Sequence, residues 1–241
     1  MRLDVFLADS GYASSRSEAK RLISEGAVSV NGKVVKKPSL DVTGENNAIT
    51  VTEKVKFASR GGVKLDAALD AFKIECEGRL CLDIGASSGG FTDCLLSRGA
   101  EHVVAVDSGS GQLISRLLGD SRVTSIENYN ARYMEPDDFE YSPSLAVMDV
   151  SFISATYIIE PLSRVLRTGS DFICLIKPQF EVGRQGISKG GIVKDEVLRE
   201  QAVNKVVDFA HQNGFNSLGL IESPIKGGDG NTEYLAYFKR I

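Results

Sequence analysis

The run Asp83-Ile84-Gly85-Ala86-Ser87-Ser88-Gly89-Gly90-Phe91-Thr92 is where residue types and spacing first suggest chemistry. It follows an apolar stretch, Leu80-Cys81-Leu82, and passes through small residues able to take positive φ into a helical pattern over 91–98. A strand, a glycine-rich turn and a helix N-terminus in that order let backbone approach a cofactor closely, at the carboxyl edge of a parallel sheet. Asp107, 24 residues beyond Asp83, ends the next apolar run, Val103-Val104-Ala105-Val106. That interval suits an acid that binds ribose hydroxyls one βαβ crossover after the turn.

Three cofactor or nucleophile motifs compete for the turn. The dinucleotide pattern G-x-G-x-x-G is filled by Gly85, Ser87 and Gly90, and the missing middle glycine is the one that admits a pyrophosphate, so NAD is disfavoured. A P-loop fails because no Gly-Lys-Ser/Thr follows. Gly85-Ala86-Ser87-Ser88-Gly89 does satisfy the G-x-S-x-G nucleophile elbow, with Asp149 and His211 in the right chain order, which keeps a hydrolase as an alternative. Against it, His211 falls inside a helical pattern over 201–212, and no glycine run for an oxyanion hole precedes the turn. S-adenosylmethionine carries no phosphate and needs only a turn of small residues and a ribose-binding acid. Its candidate contacts are Asp83, Gly85, Ala86, Ser87, Gly89, Gly90, Phe91 and Asp107.

The elements that must position these residues alternate. Runs at 103–107, 123–126, 145–150 and 172–176 read as strands, segments 110–118, 155–166 and 195–213 as helices, and 218–221 and 234–238 as two late strands. This predicts an α/β fold with an open, mostly parallel sheet covered on both faces. Asp149 and Lys177 then end parallel strands at the edge that carries Gly85 and Asp107. A helix over 63–72 has Lys64 at its very start, where a lysine opposes the helix dipole and invites a functional reason. Residues 178–193 contain four glycines and no periodicity, which suggests a substrate-covering lid.

Residues 1–52 form a separate module: two short helices, then Val28-Ser29-Val30-Asn31-Gly32-Lys33-Val34-Val35 as a hairpin around Asn-Gly, closed by a strand at 48–51. Ser14 or Ser15 is placed to cap the second helix. The first 40 residues hold seven Lys/Arg against four acids, whereas the whole chain has a net charge of −4, so a basic head precedes an acidic body. Arg2-Leu3-Asp4, Ser15-Arg16, Ala19, Leu22-Ile23, Gly26, Val28-x-Val30-Asn31-Gly32 and Lys37-Pro38-Ser39 resemble the alpha-L RNA-binding domain of small-subunit ribosomal protein four. The resemblance implies that Arg16, Lys20, Arg21, Lys33, Lys36 and Lys37 face RNA phosphates. Residues 53–60 break the pattern and read as a linker, leaving 61–241 as the second domain.

No apolar run nears the ~18 residues of a membrane span, and the N-terminus lacks a signal peptide's apolar core, so a cytoplasmic location is expected. Cys76, Cys81, Cys94 and Cys174 form no C-x-x-C pair and read as buried free thiols rather than metal ligands.

A second resemblance covers most of residues 56–241. Ser59-Arg60-Gly61-Gly62-x-Lys64-Leu65, the 83–92 turn, Asp107-x-Gly109-x-Gly111-Gln112-Leu113, Asp149-x-Ser151-Phe152-Ile153-Ser154, Lys177-Pro178-Gln179-Phe180-Glu181 and Gly230-Asn231-x-Glu233-Tyr234 resemble the TlyA family, often labelled hemolysin A. The resemblance implies a Rossmann-like S-adenosylmethionine-dependent methyltransferase with a seven-stranded, mostly parallel sheet behind a small α+β RNA-binding domain. It implies methyl transfer to ribose 2′-hydroxyls of ribosomal RNA, with ribosomal RNA or ribosomal subunits as partner and no metal. It also assigns Lys64, Asp149, Lys177 and Glu233 as a catalytic tetrad, Asp149 also lying near the cofactor. In this reading Lys177 either donates a hydrogen bond to the 2′ oxygen or accepts its proton, with Lys64, Asp149 and Glu233 tuning it. Phe91 and Phe152 read as core packing, with stacking of Phe152 on a base or on the cofactor's adenine as the alternative. Three other functions stay open: a base N-methyltransferase, since Asp149-Val150-Ser151-Phe152 echoes an acid-x-x-aromatic motif; a membrane-active hemolysin; and a protein that only binds RNA.

Overall fold

The computed structural model describes residues 1–13, 15–24, 26–43, 47–51, 57–183, 186–188, 190–227 and 230–241. The chain divides into two compact units, Met1–Lys56 and Phe57–Ile241.

In the first unit, α1 (Leu3–Asp9) and α2 (Arg16–Ser24) share a core with a small antiparallel sheet of β1 (Val28–Val30), β2 (Lys33–Val34) and β3 (Ile49–Val51), in the order β2-β1-β3. Ala19, Leu22 and Ile23 fall on one face of α2 and are buried with Leu3, Leu7 and Val28. Asn31 and Gly32 take φ of 52° and 77°, the left-handed pair that a two-residue hairpin turn requires. Asp4 is buried in α1 and ion-paired to both Arg2 and Arg16. Ser14, one of the two expected caps of α2, lies outside the described residues.

The second unit is built on α3 (Gly61–Phe72), β4 (Leu80–Ile84), α4 (Gly90–Ser97), β5 (His102–Val106), α5 (Ser115–Leu118), β6 (Val123–Ile126), β7 (Leu145–Met148), α6 (Thr156–Val165), β8 (Asp171–Ile176), α7 (Pro178–Glu181), α8 (Glu196–Gln212), β9 (Phe215–Glu222) and β10 (Tyr234–Arg240). The seven strands lie in the order β6-β5-β4-β7-β8-β10-β9, parallel from β6 to β8, with β10 inserted antiparallel between β8 and β9. The central strands are apolar on both faces because each face meets helices. Leu82, Ile84, Ala146, Met148, Phe172 and Cys174 pack with α6 and α8, while Cys81, Leu145, Val147, Ile173 and Leu175 pack with α3 and α4. Each large side chain so buried contributes roughly 1.5–3 kcal/mol. All four cysteines are buried and free, as expected from their spacing.

Three segments differ from the sequence reading. The helix expected over 110–118 shrinks to α5, because Gly109 and Gly111 lie in a loop whose N–H groups donate to Asp107 Oδ1 and Glu127 Oε1. Of the expected linker, 53–56 fall outside the described residues, whereas Phe57 and Ala58 are buried in the core beside α3, where Ala58 N–H donates to Asp93. The expected lid begins with α7 and ends at buried Val193, whose N–H donates to Asn231 Oδ1. The segment is held at both ends, and residues 184, 185 and 189 within it lie outside the described residues.

Candidate active site

The turn after β4 and the loop after β5 close on each other through one carboxylate. Ser87 N–H donates to Asp107 Oδ2 (2.8 Å), Gly109 N–H donates to Asp107 Oδ1 (2.7 Å), and Ser87 Oγ reaches Gln112 Oε1 at 3.0 Å. Gly85 has φ of 84°, and a Cβ there would stand 2.5 Å from Asp149 carbonyl oxygen, so only glycine lets the exits of β4 and β7 lie this close. Beside it opens a cleft of about 350 Å³ with Ile84, Val106, Val150 and Ile153 among its walls, together with Asp107 and Asp149. Among the described residues no lysine or arginine lines it. Two carboxylates and an apolar slot suit a ligand with a flat ring, hydroxyls and positive charge, and not a phosphate-rich one. S-adenosylmethionine has those features, so the residues present fit it.

The strand register brings three of the four tetrad positions to this edge, and α3 brings the fourth, Lys64. Ile84 pairs Met148, Met148 pairs Cys174, and Tyr234 pairs Ile176, so Asp149, Lys177 and Glu233 each lie one residue beyond the paired end of β7, β8 or β10. They meet as two ion pairs. Lys177 Nζ lies 2.5 Å from Asp149 Oδ1 and donates to Ser151 Oγ at 2.7 Å. Lys64 projects inward from the first turn of α3, and its Nζ lies 2.5 Å from Glu233 Oε2, with both residues buried.

Several residues expected at the cofactor stand behind the turn instead. Asp83 does not line the cleft, because alternation along β4 turns it away from Ile84 toward α4, where Thr92 Oγ1 donates to its Oδ2 at 2.6 Å. Its Oδ1 is buried with no partner among the described residues, and burial pushes its carboxyl up to about 7 despite the Thr92 hydrogen bond. Ala86, Gly89, Gly90 and Phe91 shape the turn without lining the cleft, and Phe91 packs in the core near Gly61. Conversely, Gln112, Tyr129 and Asn130 line the cleft, and sequence reading did not assign them. Tyr129 and Asn130 precede a 3-10 turn (Ala131–Tyr133), a segment with no periodicity to read.

Phe152 is 92% exposed, with φ of 65°, and its ring meets Phe180 at 5.3 Å. It belongs to both the cleft and an adjoining open groove of about 1120 Å³. The hydrolase alternative finds no triad: Ser87 Oγ is engaged by Gln112, and His211, on α8, accepts from Ser217 N–H. In the first unit, Lys20, Lys33, Lys36 and Lys37 are exposed and Arg21 is half-buried, whereas Arg16 is tied to Asp4.

The strand order, the glycine turn and the acid that clamps it define the S-adenosylmethionine-dependent methyltransferase class. The FtsJ-like methyltransferase family matches residues 57–240 and the S4 domain matches residues 1–47. The chain belongs to the TlyA, or hemolysin A, family of these methyltransferases. It is 45% identical over 239 residues to hemolysin A of Brachyspira hyodysenteriae, covering 99% of each chain. It is 41% identical to the 16S/23S rRNA (cytidine-2′-O)-methyltransferase TlyA of Mycobacterium tuberculosis, covering 99% of this chain and 89% of that one. A solved structure of a Streptococcus thermophilus protein described as a candidate hemolysin has 43% identity and a TM-score of 0.80, covering 100% of this chain and 88% of that one. Among the described residues no helix is long and apolar enough to cross a membrane.

Proposed function

We propose that this protein transfers a methyl group from S-adenosylmethionine to a ribose 2′-hydroxyl of ribosomal RNA. The observation that carries the reading is Lys177, held by Asp149 and Ser151 at the rim of a cleft that, among the described residues, is lined by two carboxylates and no cation. Gly85, Ser87, Asp107 and Asp149 would hold the cofactor there, with Gln112, Tyr129 and Asn130 completing the walls. Asp83, Ala86, Gly89, Gly90 and Phe91 keep the turn in shape from behind. When bound, the cofactor supplies a methyl carbon activated by a sulfonium.

The protein's main task is then alignment, with the acceptor oxygen held about 3 Å from that carbon. An ammonium has three N–H donors, and Lys177 gives one to Ser151 while its charge is paired with Asp149, which leaves donor capacity for the 2′ oxygen as negative charge develops on it. The Asp149 pair fixes the direction of that donor. The Lys64–Glu233 pair anchors α3 to the strand end beside Lys177. Phe152 offers an exposed ring on which the acceptor's base stacks. The S4 domain provides the RNA grip, through Lys20, Arg21, Lys33, Lys36 and Lys37, with residues 1–52 as head and 61–241 as catalytic domain. The cytidine-2′-O activity in the name of the Mycobacterium tuberculosis relative supports the same substrate class.

The direct test is radiolabelled methyl transfer to ribosomal subunits by the full chain, wild type beside Lys177→Ala. The variant is expected to lose at least about a hundredfold in rate while binding the cofactor normally. Equal incorporation by both removes Lys177 from the mechanism.

A further inference from the structure

Two segments meet at Lys177, and one buried carboxylate ties them together. The chain leaves β8 at Lys177 and makes a single helical turn, α7, in which Phe180 N–H donates to the Lys177 carbonyl oxygen at 2.9 Å. A lone turn of four residues has no stability of its own, so contacts elsewhere must place it. The other segment, 149–155, runs from β7 to α6 without helix or strand and carries Asp149 and Ser151, the two partners of Lys177. Glu181, the last residue of α7, spans the gap. Its side chain is buried, its Oε2 accepts from Ser154 Oγ (2.5 Å) and its Oε1 accepts from Ala155 N–H (2.7 Å). Ala155 precedes the first turn of α6, whose leading N–H groups have no partner within the helix, and an anion is favoured at that end. Lys205, reaching from α8, supplies the counter-charge: its Nζ lies 3.0 Å from Glu181 Oε2 and also donates to the Glu181 carbonyl oxygen at 3.1 Å. The rings of Phe152 and Phe180 join the same two segments, but Phe152 is 92% exposed, so little apolar surface is buried between them. The carboxylate is the stronger tie.

We infer that Glu181 is a positioning residue for methyl transfer: it holds the exit of β8 against the loop after β7 and so sets the Lys177 ammonium between Asp149, Ser151 and the acceptor oxygen. The inference rests on the ribose-methylation reading above. Glu181 lines neither the cofactor cleft nor the adjoining groove, so its effect on the reaction must pass through the groups it holds. A displacement of about 1 Å at a reacting group costs about a hundredfold in rate, which makes a tie four residues from Lys177 matter to the chemistry.

The test is a double-mutant cycle in the full chain, read as single-turnover methyl transfer from radiolabelled S-adenosylmethionine to ribosomal subunits. Glu181→Gln keeps the size of the side chain and loses its charge and one acceptor. It is expected to lower the transfer rate at saturating RNA by about tenfold, with cofactor affinity by calorimetry and the RNA concentration for half-maximal rate within about twofold of wild type. In a Lys177→Ala background the same substitution is expected to cost less than about threefold, because the group it positions is already gone. Ser154→Ala, which removes one donor and leaves the Lys205 pair in place, should show the same non-additivity with a smaller loss. It carries the test if Glu181→Gln melts below the assay temperature. An unchanged rate, a loss carried by weaker binding of cofactor or RNA, or an equal loss in both backgrounds overturns the inference and leaves ribose methylation intact. A brace that only stabilises the fold gives that last result, since it changes the fraction of folded enzyme whether or not Lys177 is present. Methyl groups found on a base rather than a ribose overturn the functional reading, and this inference with it.

Discussion

Lys64 and Glu233 are both buried, so each depends on the other for a counter-charge. Removing one partner of such a pair strands the other, at a cost of about 3–5 kcal/mol, whereas an apolar pair of similar size is often tolerated. Lys64→Ala should therefore lower Tm sharply. The double variant Lys64→Met with Glu233→Leu should regain most of that Tm by thermal denaturation without regaining methyl transfer, if the pair also serves the reaction. Asp83 makes a second, pH-dependent prediction. Its carboxyl is raised from 3.8 to about 7 by burial, so the folded state holds its proton more tightly than the unfolded chain does. The stability this gives is present in full below about pH 4 and is lost as pH rises to about 7. Asp83→Asn carries no such proton, so its Tm relative to wild type should climb between pH 4 and pH 8. A difference independent of pH would mean that Asp83 is ionised throughout.

Among the elements, α2, the β1–β2 hairpin and the loop after it carry most of the basic residues of the head, yet the structure divides their work. Arg16 pairs with buried Asp4, whose carboxyl is held down to about 2 chiefly by Arg2 and also by Arg16. Lys33, Lys36 and Lys37 are exposed. Replacing these three lysines by alanine should leave Tm unchanged and make the dependence of RNA affinity on salt less steep by about two to three counterions, whereas Arg16→Ala should lower Tm as well. Titrated binding at several salt concentrations, beside melting curves, separates the two. The hairpin and the turn after β4 were legible because glycine, asparagine and a change of apolar period mark them directly. The shortness of α5 was not, since it depends on Gly109 and Gly111 folding around Asp107 and Glu127. Nor were α7 and the wall at Tyr129 and Asn130, which contacts distant in sequence hold in place. The tetrad positions could be assigned by resemblance, but their division into Lys64–Glu233 and Lys177–Asp149 emerges only from the antiparallel return of β10 and the inward turn of Lys64 on α3.

For the whole molecule, an S4 domain and an FtsJ-like methyltransferase domain in one chain join an RNA grip to a methyl-transfer site. In the proposed function the acidic cleft and the basic head have opposite tasks: one would accommodate a cationic cofactor, the other a polyanion. The central claim is the atom that receives the methyl group. A ribose 2′-oxygen that carries a methyl can no longer attack the neighbouring phosphate, so alkaline cleavage fails at that one bond. Ribosomal RNA incubated with the full chain and S-adenosylmethionine, then mapped by partial alkaline hydrolysis, is predicted to show a new resistant position that is absent without cofactor and absent with Lys177→Ala. Methyl incorporation into RNA that still cleaves at every phosphate would contradict the account.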